Sequence, residues 1–165
     1  MLYRVKQFMW AIKSNFEKID DDFIAQYLNK EEIKLFSKLN TSEQQHSIRV
    51  SRDAIKIVSE RHINLDINTV AKVTLLHDIG KQEYHLNVIE KSVLVLLHKF
   101  TGGRLEKYSN IKAIDTYYNH SKKGFDILKN FNYSDEFLEA IQKHHASNKT
   151  NNILLEILRE ADNKN

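Results

Sequence analysis

Apolar residues recur at steps of three and four along most of the chain, the spacing of one face of an α-helix. Leu2, Val5, Met9, Ile12 and Phe16 form the first such stripe. Its simplest role is to dock on the protein's own core, and the same stripe could be the seam of a homodimer. Asp20-Asp21-Asp22 suits the positive end of a short helix running through Leu28. Lys30 to Leu39 reads as another, with Ile33, Leu35, Phe36 and Leu39 on its buried side. Ser42 and Gln45 have capping-box spacing and open a helix along Ile48, Ile55 and Val58 that reaches about Arg61. Asn68 is placed as the cap of the next helix, whose Val70, Val73, Leu75 and Leu76 lead into His77. Gly80 then stands where a left-handed terminating residue belongs.

Residues 87–100 are ambiguous by periodicity, because Val93 to Leu97 could be a buried strand or a buried helical turn. A lone strand would lack a partner here, so helix is expected. Thr101-Gly102-Gly103 breaks the chain. Helices are expected over Asp115–Asn130, Ser134–His145 and Asn152–Ala161. No repeat or linker interrupts the pattern, so one unit is expected: a main body over residues 41–165 with N-terminal helices from residues 1–40 packed on it.

Composition sharpens the fold class. Zero prolines and four glycines are too few turn-formers for a barrel or sandwich of short strands, which leaves an all-α bundle. Zero cysteines exclude a disulfide scaffold, a Cys-ligated zinc site and thiol catalysis. A formal charge of +3 is too small to point to nucleic acid as partner. The excess is local, because residues 98–130 carry seven basic side chains against three acidic ones. The N-terminal stripe is interrupted by Arg4, Lys6 and Lys13, unlike the core of a signal peptide. The longest apolar run, Val93 to Leu97, falls far short of the roughly 20 residues that cross a bilayer, so a cytoplasmic protein without membrane contact is expected.

Eight histidines carry the chemistry. In order along the chain come His46, His77-Asp78, His120, His144-His145 and finally Asp162, spread over at least five predicted helices. A bundle builds a metal site this way, from inward side chains on facing helices. Imidazole and carboxylate without sulfur suit Fe, Mn, Co, Ni or Mg better than a closed structural zinc site. Adjacent residues on a helix point about 100° apart, so His77 and Asp78 can share an ion only near a helix end. Singly, each residue is as compatible with an ordinary hydrogen-bonded core; the ordered set is the signal. His62, His85 and His98 belong to no such pattern and are read as surface or packing residues.

The matching stretches are Gln45-His46-Ser47-Ile48-Arg49-Val50, Leu75-Leu76-His77-Asp78-Ile79-Gly80-Lys81, Asn119-His120-Ser121-Lys122-Lys123-Gly124, Ile141-Gln142-Lys143-His144-His145 and Leu158-Arg159-Glu160-Ala161-Asp162. In these the chain resembles the HD-domain superfamily of metal-dependent phosphohydrolases, in its His-Asp-Ile-Gly subtype. Ser121 departs from the proline that often follows the third-motif histidine in that family. The resemblance implies a helical bundle with a central site for one or two divalent ions. It implies His46, His77, Asp78 and Asp162 as ligands of a first ion, and His120, His144 and His145 as ligands of a second that Asp78 would bridge. Lys81 resembles the family's phosphate-contacting lysine. Arg49, one helical turn after His46, is a second candidate phosphate contact, though a salt bridge would explain it equally well.

The activity so implied is hydrolysis of a small phosphate ester, most naturally a nucleotide, by a metal-activated water, with Asp78 and Lys81 as the central residues. Ala146-Ser147-Asn148 stands where cyclic-dinucleotide phosphodiesterases of the family carry Gly-Tyr-Pro. Lys81-Gln82-Glu83 lacks the Glu-Asp of the guanosine-tetraphosphate hydrolases. Dinucleoside tetraphosphate hydrolysis and 5'-nucleotidase activity stay open. The alternatives are a di-iron oxygenase of the same fold and a non-catalytic metal-containing module that binds a nucleotide.

Overall fold

A computed structural model describes residues 18–165, all of whose regular elements are helices. The N-terminal stripe from Leu2 to Phe16 lies outside the described residues. In chain order the α-helices are α1 (Asp21–Tyr27), α2 (Lys30–Phe36), α3 (Thr41–Glu60), α4 (Ile67–Leu76), α5 (Val88–Thr101), α6 (Lys112–Leu128), α7 (Asp135–Lys143) and α8 (Ile153–Lys164). Short 3-10 turns cover Ile79–Glu83 and Arg104–Tyr108.

Helix starts follow the capping rules but choose other residues than the sequence suggests. Asn40, not Ser42, caps α3, and its box partner is Glu43. This Asn-x-x-Glu box, two residues earlier, satisfies the amides of Asn40 and Glu43, and Gln45 donates instead to the carbonyl of Lys18. Asp66, not Asn68, caps α4 through the amide of Thr69. The same box recurs at α2 with Asn29 and Glu32.

Helix α4 sits at the centre. Six of its ten residues, Val70, Ala71, Val73, Thr74, Leu75 and Leu76, are buried, as expected for a helix covered on nearly all sides. It packs against α3, α7 and α8, while α6 lies along the turn that follows α4 and along α7. Ile24, Leu28, Phe36 and Leu39 from α1, α2 and the loop after them join the same core. The buried carboxylate of Glu32 is satisfied by Lys72 Nζ at 2.9 Å, by the Tyr133 hydroxyl and by its own capping bond, so it pins α2 to α4.

Residues 88–101 are helical, as expected, but not buried. Five consecutive apolar residues wind around the helix and cannot all face inward. Leu94 is buried, while Val93, Leu96 and Leu97 are exposed. Left-handed glycines do end this helix, with Gly102 at φ 59° and Gly103 at φ 83°. Among the described residues no helix is long and apolar enough to cross a membrane.

Candidate metal centre

The α-helical pattern of α4 stops at Leu76, and the backbone tightens into a 3-10 turn immediately after Asp78. This change of winding brings His77 and Asp78 to one point, although neighbours on a continuous helix would diverge. Gly80 is not the left-handed stop that its position suggested, since its φ is not positive. It is glycine because the turn presses on α6: a β-carbon there would lie 1.9 Å from the carbonyl oxygen of His120 and 2.6 Å from the amide nitrogen of Gly124. The close approach carries Asp78 up to His120.

Seven side chains meet at this point, in two groups. His46 of α3, His77 after α4 and Asp162 of α8 form one; Asp78, His120 of α6, and His144 and His145 after α7 form the other. Within each group one ligand atom per residue lies within 4.8 Å of all the others. In the first, Asp162 Oδ1 is 3.0 Å from His46 Nε2 and 3.8 Å from His77 Nε2. In the second, His120 Nε2 and His145 Nε2 are 2.8 Å apart.

Asp78 joins the groups by splitting its two oxygens between them. Oδ2 lies 3.4 Å from His77 Nε2 and 3.9 Å from His46 Nε2. Oδ1 lies 3.4 Å from His120 Nε2 and 3.9 Å from His144 Nε2. Lys81, one turn on, places its Nζ 2.5 Å from Oδ2.

Three imidazoles are oriented by their own backbone. The Nδ1–H groups of His77, His120 and His144 donate to the carbonyls of Thr74, Thr116 and Ile141, at 2.7, 2.8 and 2.7 Å. A carbonyl only accepts, so Nδ1 carries the proton and Nε2 presents its lone pair to the centre. Burial pushes His144 well below the ordinary imidazole range and His120 down to about 3. Burial also lowers His46, against the opposing pull of Asp162, and lowers His145. Burial would raise Asp78, but the Lys81 ammonium and the surrounding imidazoles outweigh it and hold the carboxyl well below its usual range. Asp162 is also lowered: burial opposes this, and the hydrogen bond from His46 leads the effects that overcome it. Neutral imidazoles and ionised carboxylates are the forms that bind metal ions.

The fit can be judged on atoms left without partners. His77 Nε2, Asp78 Oδ1 and His144 Nε2 are buried without a hydrogen bond. Each such group costs about 1–3 kcal/mol unless something coordinates it. Nitrogen and oxygen donors converging on one interior point suit a divalent cation.

Arg49 is half-buried on α3, one turn after His46. His85 and His98 lie outside both groups: His85 Nδ1 meets Glu43 Oε2 at 2.8 Å, and His98 Nδ1 meets the Tyr118 hydroxyl at 2.9 Å. The sequence reading overlooked two charged residues near the centre. Glu43 is raised by burial, and its charge interacts with Lys81 and Asp78. Its position one turn before His46 was the available signal. Lys91 of α5 is lowered chiefly by the charge of Lys81, so a second ammonium stands within electrostatic reach. Nothing in the apolar pattern of α5 singled it out.

The chain matches no curated protein and no solved structure. A family model does match, the HD domain, over residues 44–164. The matched stretch takes in all seven converging side chains and most of the chain, and the protein belongs to the HD-domain family.

Proposed function

We propose that this protein is a metal-dependent phosphohydrolase of the His-Asp-Ile-Gly subtype, acting on a small phosphate ester, with a nucleotide as the favoured substrate. The observation that carries the reading is the division of Asp78, one oxygen toward His46 and His77 and the other toward His120 and His144. His46, His77, Asp78 and Asp162 would hold one divalent ion, and Asp78, His120, His144 and His145 a second. Fe, Mn, Co, Ni and Mg are the candidates by donor type. Bound there, such ions supply Lewis acidity toward a phosphoryl oxygen and lower the pKa of water.

The chain's own residues do the rest. Lys81 has three N–H donors and uses one on Asp78, so two remain for phosphate oxygens. Arg49 and Lys91 would add positive charge where the phosphoryl group sits, and fixed charge in a partly buried site stabilises the transition state more than it would in water. Burial alone would lower Lys81, but Asp78 leads the effects that raise it and keep it protonated, with Glu43 and Asp162 adding to them. Asp162 and the backbone-tethered imidazoles hold their positions without moving protons.

Chromatographic detection of hydrolysis products, inorganic phosphate among them, from a panel of nucleoside mono- and diphosphates and dinucleoside tetraphosphates, with each metal added in turn, tests the reading. Metal-dependent hydrolysis that a chelator abolishes is the expected result. Tight nucleotide binding without hydrolysis under any metal would make the protein a binding module. Oxygen consumption by the iron-loaded form without hydrolysis would make it an oxygenase.

A further inference from the structure

Two members of the second group, His144 and His145, stand where α7 gives way to a stretch with no regular structure. Residues 145–149 are exposed and outside any helix. His144 is aimed by its bond to the carbonyl of Ile141. His145 differs: among the described residues its ring meets His120 Nε2 at 2.8 Å and no backbone carbonyl. The place of its imidazole therefore depends on what holds the main chain around it.

Arg159 of α8 reaches across to that main chain. Its Nη2 donates to the carbonyl of Lys143 at 2.9 Å, and its Nη1 donates to the carbonyl of Asn148 at 3.0 Å. The two carbonyls bracket the histidine pair, one immediately before His144 and the other three residues after His145. Lys143 closes α7, where carbonyls lack intrahelical partners and a cation is favoured. A guanidinium is a rigid planar fork, so one side chain can grip the main chain at two places where an ammonium offers a single nitrogen. The base of the fork is firm, because Leu154, Leu155, Ile157, Leu158 and Ala161 of α8 are buried. Asp162, of the first group, lies nearly one turn further along the same helix.

We propose that Arg159 is a positioning residue for the second ion: by clamping the chain on both sides of His144-His145 it fixes His145 opposite His120, a role that rests on the two-ion reading above. None of His46, His77 and Asp162 is on the clamped stretch, so the first group keeps its donors when the clamp is removed. The second group loses the fixed place of one donor. Groups that support a ligand in this way change metal affinity by about 10–100-fold.

Isothermal titration of the metal-free full chain with Mn(II) tests the role, with Arg159→Met as the variant that keeps the apolar stem and removes the fork. The wild type should take up two ions. In the variant the second ion should bind about 10–100-fold more weakly while the first is unchanged. Arg159→Lys, which keeps the charge on one nitrogen, should fall between the two. Should the methionine variant fail to fold, the lysine variant carries the test, with a several-fold loss confined to the second ion. Equal weakening of both ions would make Arg159 a support of the fold alone and overturn the proposal, as would two ions bound with unchanged affinity. A wild type that takes up fewer than two ions would overturn the two-ion reading and the clamp with it, and that failure is visible before any variant is compared.

Discussion

Gly80 and His120 approach so closely that a β-carbon on the glycine would sit 1.9 Å from the histidine's carbonyl oxygen. Backbone cannot yield as a flexible side chain does, so Gly80→Ala must push the turn away from α6 or distort both. A loss of about 3 kcal/mol or more is expected. Urea denaturation would read it, and a loss under about 1 kcal/mol would show that the contact is not rigid.

Asp78→Ala removes both oxygens proposed to bridge the two ions and takes from Lys81 its hydrogen-bonded carboxylate. Metal content by elemental analysis should fall at both positions, with activity falling to background. Full metal content in this variant would take the bridging role away from Asp78.

His120→Ala touches only the second group. One ion should be lost, while the position bounded by His46, His77 and Asp162 keeps its own. Unchanged stoichiometry would argue for a single-ion centre.

Lys81→Ala should leave metal content intact and lower turnover by about a hundredfold, the scale of one well-placed charge on a developing anion. Loss of metal instead would mean that the lysine acts mainly by keeping Asp78 ionised.

Acid should weaken the metal-free fold before any carboxylate titrates. His120 titrates at about 3 in the folded state, and His144, His46 and His145 are also lowered, whereas unfolded histidine titrates near 6.5. Below that value the unfolded chain binds protons that the folded one refuses, so stability falls as pH drops below about 6.5, and for buried His120 the loss continues toward pH 3 at up to roughly 1.4 kcal/mol per pH unit. The lowered Asp78 and Asp162 act in the same direction only below about 4, where unfolded carboxyls take up protons. Chelated protein equally stable at pH 7 and pH 5 would contradict the neutral imidazoles.

The ordered set of histidines and aspartates was legible in the sequence because a bundle needs inward donors on separate helices, and the seven named residues do meet. Helix existence was legible for the same periodic reason. The caps were not, because Asn40 and Ser42, or Asp66 and Asn68, compete within a few residues and tertiary packing decides between them. Gly80 was misread because a glycine needed for close contact looks identical in sequence to one needed for a positive φ. The Lys81–Asp78 ion pair and the approach of Lys91 depend on where a 3-10 turn and α5 are set down, which no local pattern encodes.

His144 owes its aim to the carbonyl of Ile141 in the last turn of α7, where the chain runs out into exposed residues. Helix ends fray well before cores melt, so a single loosened turn would swing a donor away while the rest of the bundle stayed intact. Warming should therefore blunt the centre at temperatures where the protein, by circular dichroism, still looks whole.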